Sequence, residues 1–223
     1  MQGINLRSYS DYKNEPQEDI FFSVCRRGGA SAFAVAYPTA DSRSHAACEN
    51  IVGVVTDSFV RRPSLCDEAM QGISGFANES VYNLQDPEKK FYADCAMLYI
   101  FKNRIRCTAF GSAAVYHFNN GVLQNIYDGS ANRLPGKSLK FSVACEPDAA
   151  IPKGENAFFI FSGRKEFRPD TDTLAGALAV SDNAEEWISA LQLEENNSRC
   201  SVLAVILPEK RLLSFGFRKG KKK

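Results

Sequence analysis

The pattern of hydrophobic and polar positions divides the chain into strands, then two helices, then more strands. Apolar residues at 20–24 and 33–36 flank a turn at residues 26–29 and predict an antiparallel hairpin. From about residue 42 to residue 61, apolar positions recur with the period of a helix. These positions are Ala47, Ile51, Val54, Val55 and Phe59.

A second helix is predicted after Pro63 and is expected to end at Asp86-Pro87. Ser64 is placed to cap it, and Asp67 and Glu68 in its first turn suit the helix dipole. Its apolar side is expected to consist of Leu65, Ala69, Ile73, Phe76, Ala77, Val81 and Leu84. Two long helices with a short connection are expected to pack antiparallel.

Short strands then follow closely, with no regular alternation of strand and helix. The predicted strands are residues 96–101, 105–110, 115–118, 122–126, 139–144, 157–161, 202–207 and 212–217, and a helix is predicted at 184–193. Asn120-Gly121 is a strong hairpin signal between two of them. The order disfavours a parallel sheet and predicts an α+β fold. Two packed antiparallel β-sheets flanked by helices, an α-β-β-α sandwich, fit it best.

No internal repeat or linker divides the chain, so residues 1–217 are expected to form a single domain. Residues 218–223 form a basic C-terminal tail, which is expected to be a solvated, disordered end. The alternative is that this tail engages an acidic partner, nucleic acid or anionic lipid. Nucleic acid is not expected as a partner elsewhere, because the net charge of the chain is +1.

Composition indicates a cytoplasmic protein without a membrane span. No apolar run approaches the ~20 residues that cross a bilayer, and the N-terminus lacks the form of a signal peptide. The seven cysteines are odd in number and include no Cys-x-x-Cys, so free thiols in a reducing compartment are expected. With only two histidines, His45 and His117, a Cys-His or Ser-His-Asp catalytic arrangement is not expected.

The apolar stretch at residues 33–36 is expected to deliver its last residues to the edge of the core. An Asp-Gly pair at that edge would suit a metal ion, because a carboxylate binds a hard cation and the glycine carbonyl can approach it closely. The chain has Tyr37-Pro38 there instead. This pattern is typical of a catalytic fold that has lost its chemistry.

Several strings in this order resemble the metal-dependent serine/threonine phosphatases of the PP2C (PPM) type, in their short bacterial form. Residues 17–22 (QEDIFF) resemble the family's Asn-Glu-Asp string, and residues 33–38 (FAVAYP) resemble the string that ends in Asp-Gly. Residues 109–116 (AFGSAAVY) resemble the Gly-Asp-Ser-Arg strand. Residues 158–163 (FFIFSG) resemble the strand ending in Ser-Asp-Gly, and residues 197–205 (NSRCSVLAV) resemble the terminal Asp-Asn strand. The resemblance covers nearly the whole chain.

The resemblance implies two Mn²⁺ or Mg²⁺ ions held by carboxylates, with a bridging water that attacks phosphate. Glu18 matches a ligand position, and Asp19 matches its acidic neighbour. The other matched positions have lost their carboxylates. Tyr37 occupies the position of the bridging Asp, and Pro38 that of the Gly whose carbonyl binds metal. Ser112 replaces the Asp of Gly-Asp-Ser, and Gly163 or a deletion replaces the Asp of Ser-Asp-Gly. Arg199 and Cys200 replace the terminal Asp-Asn. Lys13 is a doubtful stand-in for the family's phosphate-binding Arg.

Two surviving acids are too few for a two-metal cluster, and Arg199 adds positive charge where cations would sit. We therefore expect no metal and no cofactor, and a pseudophosphatase that binds an unidentified protein partner in a regulatory role. One alternative is a divergent Mn²⁺- or Mg²⁺-dependent phosphatase with a site rebuilt from other acids, of which Asp41, Asp94, Asp128, Glu166 and Asp182 are available. Another is a pocket that binds a phosphorylated ligand through Arg199, Arg164 and Lys13 without cleaving it.

Each candidate residue also has a plainer interpretation. Glu18 and Asp19 are more typical of a solvated pair at a strand start than of a relic metal site. Tyr37 either contacts a ligand or fills the space left by metals. His117 is expected to pack across strands, and His45 to lie at the surface or cap a helix. Cys200 is either a reactive thiol beside Arg199 or a buried structural cysteine.

Overall fold

A computed structural model of the chain describes residues 4–10, 22–27, 29–39, 45–86, 91–129, 134–138, 148–180, 183–193, 196 and 199–207. Within these ranges the chain forms ten β-strands and four α-helices. The strands make two five-stranded antiparallel sheets that pack face to face, with helices on both outer faces. This arrangement confirms the predicted α+β sandwich.

The first sheet has the strand order β1–β10–β9–β6–β7. Its strands are β1 (Asn5–Ser10), β6 (Ala114–Asn119), β7 (Val122–Asp128), β9 (Asn156–Gly163) and β10 (Cys200–Leu207). The predicted hairpin joins β6 to β7. Asn120 and Gly121 both have positive φ, at 49° and 82°, which a two-residue turn of the type I′ requires.

The second sheet has the strand order β2–β3–β4–β5–β8. Its strands are β2 (Phe22–Arg27), β3 (Ala30–Pro38), β4 (Ala93–Phe101), β5 (Arg104–Phe110) and β8 (Ala149–Ala150). The predicted hairpin of β2 and β3 is confirmed, with Phe22 opposite Val35. Alternation along the buried β3 puts Ala32 and Ala34 under the helices and Phe33 and Val35 between the sheets. Small residues on the outer face let a helix approach the sheet closely.

Two pairs of helices cover the outer faces. Helices α1 (His45–Arg61) and α2 (Asp67–Tyr82) bury their apolar sides against the second sheet. Helices α3 (Thr171–Val180) and α4 (Ala184–Ala190) cover the first sheet, where Trp187 packs on Phe159 with ring centroids 5.5 Å apart. A third apolar cluster fills the space between the sheets. The sequence predicted α1, α2 and α4 but not α3.

Several local predictions need correction. Helix α2 begins at Asp67 with Cys66 at the N-cap, so the cap prediction for Ser64 is wrong by two residues. Phe76 is 59% exposed and lies on the outer side of α2, not on its apolar side. No strand was predicted before residue 20, whereas Asn5–Ser10 forms β1 on β10. The predicted strands at 139–144 and 212–217 and the tail at 218–223 lie outside the described residues.

Across the described ranges, none of the helices combines the length and apolarity that crossing a bilayer requires.

Candidate functional site

The matched motifs meet at one end of the sandwich, which we call the site end. In the first sheet, the end of β9 lies beside the start of β10, with Gly163 opposite Cys200. In the second sheet, the end of β3 lies beside the start of β4, with Tyr37 opposite Asp94. Residues 111–113, which we call the corner, link β5 in the second sheet to β6 in the first. The corner therefore brings both sets of strand ends to the same end of the molecule.

Tyr37 lies at the end of β3 with only 3% of its surface exposed. By strand alternation it lies on the same face of β3 as Phe33 and Val35, which pack between the sheets. Pro38 follows as the last residue of the strand, opposite Ala93. A phenol ring therefore lies where the phosphatase resemblance places a carboxylate.

Asp94 is a buried carboxyl at the site end, and only 6% of it is exposed. Its Oδ1 accepts a hydrogen bond of 3.1 Å from the backbone N–H of Ser112. Burial raises the pKa of the Asp94 carboxyl to about 7, and the hydrogen bond from Ser112 opposes that rise. The sequence named Asp94 only as one available acid, because pairing between β3 and β4 is needed to bring it opposite Tyr37.

Ser112 thus takes part in the site end through its backbone, as the partner of Asp94. At Gly163 the backbone is crowded. A Cβ at this position would lie 2.5 Å from the Cβ of Cys200 and 2.9 Å from the backbone oxygen of Arg199. Real Cβ atoms do not approach other atoms so closely, so the observed backbone leaves no space for an aspartate side chain at residue 163.

Cys200 is fully buried, and it packs in the cluster beneath α3 and α4. This position supports the structural interpretation of Cys200. The neighbouring Arg199 is exposed. Its backbone oxygen accepts a 3.2 Å hydrogen bond from the N–H of Arg164, which is also exposed, so the two arginines are held side by side at the site end.

Serine hydroxyls line the inter-sheet side of the first sheet near the same end. Ser201 donates a 3.1 Å hydrogen bond to the hydroxyl of Ser10 on β1. Ser162 has no exposed surface, and its hydroxyl has no hydrogen-bond partner within the described part of the chain. The sequence analysis did not single out these serines. The signal was present in the alternation along β9, where Ser162 continues the inward positions Phe158 and Ile160.

The remaining candidate residues are ion-paired, exposed, or outside the described part of the chain. Asp128, at the end of β7, forms an ion pair of 2.9 Å with Arg168. Glu166 is exposed in a short 3₁₀ helix at Lys165–Phe167. Five of the sequence candidates lie outside the described residues: Lys13, Glu18, Asp19, Asp41 and Asp182.

The two histidines have different surroundings. The His117 ring stacks on Phe158 with centroids 4.5 Å apart and bonds through Nε2 to Asn156 at 2.9 Å, which confirms cross-strand packing. His117 lies toward the opposite end of β6 from the corner. His45 is the first residue of α1 and is half-buried.

Within the described ranges, the donor set at the site end does not fit a pair of divalent cations. A two-metal site needs several oxygen ligands, most of them carboxylates. The described matched positions supply a phenol, a proline, a serine, a glycine, an arginine and a buried thiol, and Asp94 is already bonded to the corner. No group of three or more His, Cys, Asp or Glu side chains with metal-binding geometry occurs in the part of the chain that the structure describes.

Comparison with known proteins identifies the fold through structure and not through sequence. No protein-family model matches the sequence, and no curated protein matches it either. Solved structures do match. The S. agalactiae serine/threonine phosphatase is 11% identical with a TM-score of 0.71, and the match covers 93% of this chain and 99% of that one.

Two further structures match over nearly their full length. The catalytic domain of the serine/threonine phosphatase PstP, solved with two manganese ions, is 13% identical with a TM-score of 0.66, covering 92% of this chain and 98% of that one. PppA of Pseudomonas aeruginosa, described as a key regulatory component of a T6SS, is 17% identical with a TM-score of 0.63, covering 91% and 96%. The chain therefore has the fold of the PPM, or PP2C-type, serine/threonine phosphatases, as the sequence resemblance predicted.

Proposed function

We propose that this chain is a pseudophosphatase, a PP2C-fold domain that binds a protein partner and does not hydrolyse phosphate. The observation that carries the proposal is the chemistry of the site end. Tyr37 occupies the end of β3, and Gly163 leaves no room for a side chain. The carboxyl of Asp94 is bonded to the corner. None of these three positions offers a carboxylate that is free to hold a cation.

The metal-dependent reaction of the phosphatases with this fold requires oxygen ligands at these positions. Divalent cations that activate water and offset the charge on phosphate must be held by several oxygen ligands. Glu18 and Asp19 would be too few even with Asp94 added, because Mg²⁺ and Mn²⁺ sites with two ions share several carboxylates. We therefore derive no hydrolytic step for this chain.

A regulatory role is supported by the kind of protein that shares the fold. PppA is described as a regulatory component of a larger system. A domain that keeps the fold without the metal chemistry retains its outer surfaces, and binding a partner needs only such surfaces. We assign the chain a role of this class, with the partner unidentified.

An assay of phosphate hydrolysis tests the proposal. The purified chain is incubated with an aryl phosphate and with phosphoserine and phosphothreonine peptides, in Mn²⁺ or Mg²⁺, beside an active PP2C-type phosphatase. We expect no turnover above the protein-free rate. Metal-dependent turnover that the variant Asp94→Asn abolishes would overturn the proposal and support the alternative of a rebuilt metal site.

A second candidate function is binding of a phosphorylated ligand without cleavage. Arg164 and Arg199 favour it, because they are adjacent and exposed and neither forms an ion pair with another described residue. Two neighbouring guanidinium groups can bind the oxygens of a phosphate group. Lys13, outside the described residues, is the third cation of this hypothesis.

Fluorescence anisotropy with a labelled phosphoserine peptide tests this second candidate. Binding that weakens about tenfold in Arg199→Ala, as expected from the loss of a charged hydrogen bond of roughly 1.5 kcal/mol, would support it. The matched control is Lys153→Ala, an exposed cation before the start of β9, at the opposite end of the strand. Equal binding by both variants, or equal binding of the unphosphorylated peptide, would exclude this function.

A further inference from the structure

The turn of the β6–β7 hairpin at residues 119–121, which we call the hairpin tip, holds the loop that leads into β9. Asn119 donates hydrogen bonds through Nδ2 to the backbone oxygen of Lys153 at 3.2 Å and to that of Glu155 at 2.9 Å. Asn120 donates through its own Nδ2 to the same Lys153 oxygen, also at 3.2 Å. Two side-chain amides of the hairpin tip therefore fasten one loop.

Gly154 shows how closely this loop meets the carboxamide of Asn120. It has a φ of 94°, in the left-handed region that favours glycine. A Cβ at Gly154 would lie 3.1 Å from Nδ2 of Asn120 and closer still to its Oδ1, where a real Cβ does not fit. The Asn120 amide is therefore both a hydrogen-bond donor to the loop and a surface against which the loop packs.

The same amide is followed by a residue that favours ring closure. Asn120-Gly121 is the one Asn-Gly pair in the sequence. A bond between Cγ of Asn120 and the backbone nitrogen of Gly121 closes a five-membered ring, and glycine has no side chain to hinder it. Both residues are exposed, and a Cβ at Gly121 would meet no atom within 4 Å. Water and hydroxide therefore reach the reacting atoms.

We propose that Asn120 is a site of spontaneous deamidation, with water as the co-reactant, and that its conversion releases the loop from the hairpin tip. The proposal goes beyond the assigned binding function, because it requires neither a partner nor a phosphate group. It concerns the end of the sandwich opposite the site end, since β9 begins at this loop and ends at Gly163.

The reaction proceeds in two steps once the turn opens. Hydroxide takes the proton of the Gly121 N–H, and the nitrogen attacks Cγ of Asn120. The new N–Cγ bond closes a succinimide ring, the Cγ–Nδ2 bond breaks, and Nδ2 leaves as ammonia with a proton from water. Water then adds to either ring carbonyl and opens the ring to aspartate or isoaspartate. The sum is one water consumed and one ammonia released, so no oxidant or reductant is needed.

Either product removes part of what holds the loop. An aspartate at residue 120 has no N–H to donate, so a carboxylate oxygen takes the place of Nδ2 beside the backbone oxygen of Lys153. Two acceptors that face each other without a proton repel, and the hydrogen bond is lost. Isoaspartate also lengthens the backbone of the turn by one atom, which disturbs the pairing of Asn119 with Val122.

Peptide mapping by mass spectrometry tests the site in the full chain, incubated in mildly alkaline buffer. Asn103 is the matched control, because it is an exposed hairpin-turn residue with a φ of 66° but is followed by Arg104, whose side chain hinders ring closure. We expect residue 120 to convert about tenfold faster than residue 103, to a mixture of aspartate and isoaspartate. This ratio equals about 1.4 kcal/mol in activation free energy.

Gly121→Ala tests the ring closure itself, because a methyl group on residue 121 crowds the attacking nitrogen. We expect conversion of Asn120 to slow about tenfold in this variant. Equal conversion of Asn120 and Asn103, or equal conversion of Asn120 in the native chain and in Gly121→Ala, would overturn the site. Alanine is strained at the φ of 82°. If the variant does not fold, the comparison with Asn103 in the native chain decides.

Asn120→Asp imitates the aspartate product and tests the release of the loop. We expect its Tm to fall by roughly 2–4 °C, as for the loss of one hydrogen bond in a chain of this size. Gln124→Glu, the same amide-to-acid change at an exposed position of β7, is expected to stay within about 1 °C of the native chain. An unchanged Tm in Asn120→Asp, or the same fall in both variants, would overturn the release. These readouts involve neither phosphate hydrolysis nor a partner, so they are independent of the proposed function.

Discussion

At the site end, the sizes of Tyr37 and Gly163 matter as much as their lack of charge. Tyr37 is a large buried side chain at the end of β3, and the Gly163 backbone is pressed against Cys200. Returning a carboxylate at either position alone would leave the other without one. At residue 163 it would also force the strands β9 and β10 apart.

Gly111 allows a direct test of the packing at the corner. Gly111→Ala would put a methyl group 1.6 Å from Asp94 Oδ1 in a backbone with positive φ. Left-handed strain of about 1 kcal/mol and overpacking of about 1–3 kcal/mol predict a loss of roughly 2–4 kcal/mol in the free energy of unfolding. Urea denaturation measures this loss, and a change below about 0.5 kcal/mol would contradict the close approach of Asp94 to the corner.

The matched control for this prediction comes from helix α2. Gly72 is exposed in the middle of the helix, and a Cβ there would meet no atom within 4 Å. Gly72→Ala is expected to stabilise the chain by about 0.5–1 kcal/mol, because alanine loses less backbone freedom in a helix. The same substitution therefore changes sign between the corner and the helix.

At the scale of elements, the sequence predicted those helices and strands that short-range sequence signals specify. The β6–β7 hairpin was predictable because Asn120-Gly121 specifies its turn, and α1 and α2 because their apolar positions recur with a helical period. Strand β1 escaped prediction because it is an edge strand, and half of its residues, among them Arg7 and Ser8, are exposed. Its strand conformation comes from pairing with β10, almost two hundred residues away in sequence.

Prediction of the site end was limited in the same way, because part of it depends on residues that are distant in sequence. The motif resemblance alone pointed to Tyr37, Ser112 and Gly163 as positions where the phosphatases carry carboxylates and this chain does not. The fastening of Asp94 to the corner was not predictable, because it needs three distant features: the β3–β4 register, the positive φ of Gly111 and the N–H of Ser112. Helix α3 was also missed, since its apolar run with Gly176 lacks a clear helical period.

At the scale of the whole molecule, three apolar clusters stabilise the described core of the fold. One lies under α1 and α2, one between the sheets and one under α3 and α4. Each fully buried Phe or Leu side chain contributes about 1.5–3 kcal/mol, and large side chains fill all three layers. The site end adds hydrogen bonds between strands and the hydrogen bond from the Ser112 N–H to Asp94, so the molecule is expected to be stable without divalent cations.

Calorimetric titration of the purified chain with Mn²⁺ and Mg²⁺, beside thermal melts with and without metal, tests the central claim most directly. We predict no saturable heat of binding and no change in Tm. If the chain bound metal, a free metal concentration of one hundred times the Kd would stabilise the fold by about 2.7 kcal/mol. For a chain of this size, that stabilisation raises Tm by roughly 5–10 °C. Saturable binding with such a shift would contradict the account, and Glu18, Asp19 and Asp94 would then be the first residues to substitute.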